Sequence, residues 1–287
     1  MKKYELIKQE SGLFRIKALK DFGIVKKGEL GGLIQKESNL SQNDDSWIFD
    51  DAMVCGNAKV YGNSRVCDNA TVCGNATVYG NSRVYGNAKV YGNSRVCDNA
   101  TVCGNSKVYG NSKVYGNAKV YGDSRVCDNA TVCGNATVCG NATVYGNSKV
   151  YDDARVCGNA AVHGNAKVCG VAMVCDNAVV RGDVAVYGNS KVYGNARVHG
   201  DAEVCDSVLI LGTINERFLK ISFVQCENRI MTIYQDTKGD LKCNIGCQKK
   251  MTLEDLLKRI ELDGGMKQHR KQYVNIMKNA KSILNIE

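Results

Sequence analysis

The side chains best suited to chemistry are three histidines and fifteen cysteines among 287 residues. His163, Arg181 and His199 are spaced by eighteen positions. An imidazole can act as general base, nucleophile or metal ligand, and a guanidinium held between two imidazoles could hold an anionic group. Met173, Val179 and Arg197 lie in the same stretch and complete a candidate binding zone. The competing reading of the histidine–arginine series is three exposed polar residues with no shared task. Twelve cysteines fall between Cys55 and Cys205 in slots that otherwise hold tyrosine, such as Tyr61 and Tyr79. The plain reading is a small outward residue kept reduced in a cytosol. Cys55 and Cys73, eighteen apart, are expected to sit close enough to oxidise in vitro. A zinc site needs converging ligands, and flat parallel columns do not converge. No metal and no cofactor are expected.

Those spacings follow from the element that must position the residues. From Trp47 to Cys205 the chain repeats every six residues, with Ile48, Val54, Val60 and so on to Val204, twenty-seven hexads in all. Each unit reads A-x-V-x-G-N. Ala58 and Val60 alternate with Lys59 and Tyr61, a period of two, which predicts a short strand with one face in and one face out. Gly62-Asn63 then breaks the strand, because glycine accepts positive φ and asparagine tolerates it. One hexad is one side plus one corner, and three sides close a triangular coil. Coils stacked at ~4.8 Å make a prism of about nine coils, roughly 40 Å long. Proline, which would delete a ladder hydrogen bond, is absent from the chain.

The flanks differ. Residues 1–47 carry no hexads and read as a cap over the open end of the solenoid, with Trp47 at the junction. Residues 206–287 read as a small ββαα module. Its predicted parts are strands at Phe218–Val224, Ile230–Tyr234 and Leu241–Ile245, a turn at Lys238-Gly239-Asp240, a helix capped by Thr252 and a second helix from Lys267 to Leu284. The N-terminus has no apolar leader and no stretch approaches the roughly 20 apolar residues of a membrane span. A cytoplasmic protein with no membrane partner is expected.

The outward residues carry a second period, of thirty, in the blocks Val66–Arg95, Val96–Arg125 and Val126–Arg155. Thirty is five hexads and a coil is three, so Asp68, Asp98 and Asp128 must fall on three different corners. That predicts a spacer grown by block duplication rather than a face shaped around a ligand. The formal charge of +9 excludes an acidic nucleic-acid mimic. Basic residues beside tyrosines could contact RNA, although such residues also keep a β-surface soluble. Regularity fails near Ala161–Val186, where Ala161, Met173, Val179 and Ala185 replace outward polar residues. This predicts an apolar contact surface, covered by the C-terminal module or by a partner.

The hexads resemble the left-handed parallel β-helix of the bacterial transferase hexapeptide superfamily, and that handedness comes from the resemblance. The leader (Arg15 to Phe22, then Gly28-Glu29-Leu30-Gly31-Gly32-Leu33-Ile34 and Asn39-Leu40-Ser41) is similar to that of a bacterial and prophage subgroup. Met231-Thr232-Ile233-Tyr234 and Cys243-Asn244-Ile245-Gly246-Cys247 resemble the small domain appended to phage-type members. Gly246-Cys247 and Thr252-Leu253-Glu254 match that domain, while Gln248-Lys249-Lys250 departs from its spacing. The resemblance implies two readings. One is a non-catalytic scaffold of phage origin that engages a host protein or protein–RNA complex, such as an RNA-loaded CRISPR nuclease. The alternative is an acyltransferase with an acyl-CoA donor using His163 or His199. Flat sides bearing tyrosine and cysteine favour side-by-side packing, so a homo-oligomer is expected.

Overall fold

In the computed structural model every inward valine from Val54 to Val204 is buried, at no more than 1% exposure. The structure describes residues 2–262, apart from 201, 205–208, 211–212, 215–217, 225–228, 236–240 and 246–247. Each hexad forms a two-residue strand that pairs in parallel with the strand eighteen positions on, as in Arg83↔Thr101 and Val84↔Val102. The result is a parallel β-solenoid of about ten turns with three walls. Face I runs from Met53–Val54 through Lys89–Val90 to Arg197–Val198. Face II runs from Trp47–Ile48 through Arg83–Val84 to Lys191–Val192, and face III from Lys59–Val60 through Arg95–Val96 to Glu203–Val204.

The core is a single seam of Val beside Ala or Ser. Where serine replaces alanine the hydroxyl is fully buried, so it must find an acceptor. Ser112 Oγ donates to the Tyr109 carbonyl at 2.8 Å, and Ser82 and Ser148 repeat that bond at 2.8 Å to Tyr79 and Tyr145.

The corners explain the Gly-Asn pair. Gly110 has φ +73°, and a Cβ there would come within 2.8 Å of the Asp128 backbone nitrogen in the next coil. Aspartate takes the same corner position at Asp68, Asp98 and Asp128, with φ of 58–59°. Its carboxylate offsets the strained backbone by accepting the N–H of the glycine one coil on, at 2.7 Å for Asp68–Gly86 and 3.0 Å for Asp98–Gly116. The three aspartates stand at the corners following faces II, III and I respectively, one to each corner, as the thirty-residue period requires.

The asparagines form amide rows along the edges. Asn57 donates to Asn75, Asn75 to Asn93, and so on through Asn165, which donates to Asp183 at 2.7 Å. The open acceptor at the head of that row takes the Lys36 ammonium at 2.7 Å.

The cap is three antiparallel strands, Tyr4–Lys8, Phe14–Ala18 and Leu30–Ile34. The third also pairs in parallel with Met53–Val54 and so extends face I. Gly31 and Gly32 make this close approach possible, since a Cβ would lie 2.5 Å from the Ile48 carbonyl oxygen or 2.4 Å from that of Ala52. Trp47 seals the open end, fully buried, with the Phe22 ring edge-on at 5.3 Å and the Tyr4 ring at 6.1 Å. Its Nε1 has no hydrogen-bond partner.

Lys3 is buried beneath the same cap, its ammonium donating to the carbonyls of Asp44 (3.0 Å) and Ser46 (2.9 Å). Burial pulls the Lys3 pKa down to about 8, with the Asp44 carboxylate opposing the shift. Burial of Asp44 itself acts to raise its pKa, but donors from Ser46 and the Gly62 N–H outweigh it and hold the carboxyl below its usual range.

At the other end the sheets run past Val204. Leu209–Ile210 pairs with Lys191–Val192, and Thr213–Ile214 with Arg197–Val198. Beyond them lies a four-stranded antiparallel sheet of Phe218–Val224, Arg229–Gln235, Leu241–Ile245 and Gln248–Met251. The fourth strand is an addition to the sequence reading. A helix spans Leu253–Leu262, and Thr252 and Asp255 cap it reciprocally at 3.0 Å. The turn predicted at Lys238-Gly239-Asp240 and the helix predicted from Lys267 to Leu284 lie outside the described residues, as do Gly246-Cys247 and His269. No helix among the described residues is long and apolar enough to cross a membrane.

Candidate functional site

Face I brings together five of the six residues singled out from sequence. Val179 and Arg197 lie on adjacent paired strands, in register with each other. His163, Arg181 and His199 follow those strands, one to a coil. The register is set by backbone bonds from His163 N to the Val180 carbonyl and from Arg181 N to the Val198 carbonyl, both 2.9 Å. The eighteen-residue series therefore forms one column, with successive steps of ~4.8 Å. Met173 is not part of it. It stands on face II, where its sulfur accepts the Tyr193 hydroxyl at 3.2 Å.

The apolar substitutions also divide. Ala161 and Val179 are neighbours on face I, but Met173 is on face II and Ala185 on face III. A step of six or twelve residues turns the chain onto another wall, so apolar residues close in sequence do not add up to one patch. The largest apolar exposure in this zone is Val171, 49% exposed at a corner where asparagine is usual.

The column is built by stacking. The His163 ring lies on Tyr145, with centroids 4.5 Å apart and planes 12° apart. Burial against that ring, and then the Arg181 charge, hold the imidazole below its usual pKa. A neutral His163 can accept a proton at neutral pH. The nearby corner carboxylate, Asp183, is occupied by the Asn165 amide.

Two hollows add to this inventory. A cleft of about 300 Å³ opens where the cap meets face II, lined by Ile24, Asp45, Phe49, Asn63, Arg65 and Arg83. Sequence reading missed it because it joins residues from two separate segments. A shallow groove of about 510 Å³ on face III is lined by Lys113, Tyr115, Lys149, Tyr151 and Lys167. Among the described residues no group of three or more histidine, cysteine or acidic side chains is arranged to hold a metal ion.

Geometry and repeat together define a class: a parallel β-solenoid built from six-residue repeats, three to a turn. Residues 64–80, 72–86 and 124–140 match the family described as YdcK Beta solenoid repeat. Among solved structures the chain is similar to a Bacillus cereus protein described as a candidate acetyltransferase, at 11% identity and a TM-score of 0.34. That alignment covers 77% of this chain and 92% of the other. It is also similar to the Francisella novicida UDP-N-acetylglucosamine acyltransferase, at 12% identity and a TM-score of 0.29, covering 84% and 78% of the two chains. No residue role is carried over from either. No curated protein matches the chain.

Proposed function

We propose that this protein is a rigid, non-catalytic binding scaffold whose partner presents an anionic surface. The supporting observation is the way charge is divided between walls and corners. Each wall carries five cations between Met53 and Val198. They are Lys89, Lys107, Arg125, Arg181 and Arg197 on face I, Arg65, Arg83, Lys119, Arg155 and Lys191 on face II, and Lys59, Arg95, Lys113, Lys149 and Lys167 on face III. None of these makes an ion pair among the described residues, where every ion pair has its cation in the cap. Corner aspartates are exposed along the edges, where their carboxylates accept backbone N–H groups of the next coil and, among the described residues, make no ion pair with the wall cations. The walls therefore present unpaired positive charge in all three directions, beside stacked tyrosines such as Tyr61 on Tyr79 at 5.0 Å. Such a surface attracts acidic protein or phosphate backbone by summed field rather than through one shaped pocket.

The partner we assign is a host protein or protein–RNA complex, and the prophage-like flanks favour a host-directed role such as restraint of a defence nuclease. Binding of a defined 30-nucleotide RNA and of a purified acidic protein, each titrated against salt, tests the charge argument. Affinity is expected to fall steeply as salt rises from 50 to 200 mM. It should also drop at least tenfold in a variant combining Lys113→Glu, Lys149→Glu and Lys167→Glu. Salt-insensitive binding, or none to either partner, would sink the reading. Repeating host-lysate capture with and without nuclease then separates protein from RNA partners.

The neutral His163 supports a second reading, acyl transfer from an acyl-CoA with His163 as general base. Acyl-CoA turnover that disappears in His163→Ala would establish it in place of the first.

A further inference from the structure

Face II carries a run of sulfur that the binding role does not use. Cys139, Cys157 and Cys175 occupy the same outward slot in three consecutive coils. Backbone bonds of 2.9 Å from their nitrogens to Val156, Val174 and Val192 lock the register. Cys139 is 9% exposed and Cys175 7%. The pairing of Arg155–Val156 with Thr137–Val138 on one side and Met173–Val174 on the other places the middle cysteine next to both neighbours in the stack. Most cysteines of the walls have no thiol above or below. Cys97 lies between Tyr79 and Tyr115, Cys103 between Tyr85 and Tyr121, and Cys133 between Tyr115 and Tyr151. Among the described residues, stacked thiols occur only here and at Cys55–Cys73.

The spacing of the stack matches a particular coordination. Two thiolates bound in line to one ion stand two metal–sulfur bonds apart, ~4.6 Å at about 2.3 Å per bond. Neighbouring strands are ~4.8 Å apart. A tetrahedral ion needs four ligands from several directions, which a flat wall does not supply. A monovalent d10 ion accepts two ligands in a line, and thiolate selects Cu(I) among biological metals. We infer that Cys157, with Cys139 or Cys175 as its partner, forms a two-coordinate site for Cu(I) or a similarly soft monovalent ion.

Binding breaks two S–H bonds, forms two metal–sulfur bonds and releases two protons to solvent, with no electron transferred. The product carries one negative charge. Arg155 stands on the strand that leads into Cys157, and its charge reaches the thiols of Cys139 and Cys175, where it would offset that negative charge.

The test is a titration of the reduced full-length chain with Cu(I) under anaerobic conditions, against a chromophoric Cu(I) chelator. Cys157→Ser is expected to lower the tightly held stoichiometry by one, because its remaining thiols stand two coils apart, ~9.6 Å. Cys139→Ser and Cys175→Ser each leave one adjacent pair and are expected to retain that equivalent, as is Cys103→Ser. Circular dichroism of each variant separates loss of the site from loss of fold. Equal loss in all three stack variants, or a stoichiometry that follows total cysteine number wherever the substitution lies, would overturn the inference.

Discussion

A single methyl group at a solenoid corner offers a sharp test of how the coils pack. In Gly110→Ala, the left-handed φ of +73° itself costs about 1–2 kcal/mol for a residue with a Cβ. The added carbon would also lie 2.8, 2.9 and 3.0 Å from the nitrogen, oxygen and α-carbon of Asp128. These atoms are backbone, held by the Asn111 N–H to the Asp128 carbonyl at 2.6 Å, so they cannot swing aside. Overpacking of that kind adds about 1–3 kcal/mol. Gly12→Ala is the control, because φ there is +80° but nothing lies within 4 Å of a Cβ. Urea unfolding followed by circular dichroism should place Gly110→Ala about 1–3 kcal/mol below Gly12→Ala. Hydrogen exchange at the Asn111 amide should quicken only in the former. Equal destabilisation of the two variants would refute the idea that coil-to-coil contact adds to the cost of backbone conformation when a Cβ without a compensating side-chain bond is placed at this corner. Asp98→Gly extends the test. It gives up the 3.0 Å bond to Gly116 and relieves the left-handed residue, so a change within about 0.5 kcal/mol is expected.

Other measurements follow from the core and the titrating groups. Ser112→Ala removes a 2.8 Å hydrogen bond and should cost about 0.5–1.5 kcal/mol, whereas Ser106→Ala loses only a 3.4 Å contact and should be close to neutral in the same urea assay. Trp47→Phe sacrifices no hydrogen bond, since Nε1 has none, and should destabilise by less than half of the roughly 3–5 kcal/mol expected for Trp47→Ala. Burial pushes the Cys67 thiol up to about 11 from an unfolded value of 9.0. The folded state therefore holds this proton more tightly than the unfolded chain does. Its contribution to stability is complete below pH 9 and is lost as pH rises toward 11. A melting temperature that falls across this window, and falls less in Cys67→Ser, is the expected result.

Much of this architecture can be read in the sequence because each hexad states its own geometry. Val60, Ala58 and Gly62 specify inside, inside and corner without reference to distant residues, and the length of the coil, eighteen residues, is enough to place Asp68, Asp98 and Asp128 on separate edges. The same arithmetic aligns His163, Arg181 and His199. Contacts between segments of different kinds are less legible. Gly31 and Gly32 are small because Trp47, Ile48 and Ala52 close over them, and nothing local to the pair says so. The stack of His163 on Tyr145 depends on ring orientation, which spacing does not determine. The division of Ala161, Met173 and Ala185 among three walls was within reach of the spacing, but reading them as neighbours in sequence hides it.

The amide rows on the edges carry one more implication. In these rows the side-chain N–H points toward the C-terminal end, and a carboxylate, having no proton to pass on, breaks the run: Asp123 after Asn105 (the row resuming at Asn141), Asp153 after Asn135, Asp183 after Asn165. These stops are thirty residues apart and fall on three different edges. Lengthening the rod in five-hexad steps has thus staggered its weak joints like the seams of a bricklayer's bond. Between Asn57 and Asn195 at least one edge row is unbroken at every level along the axis.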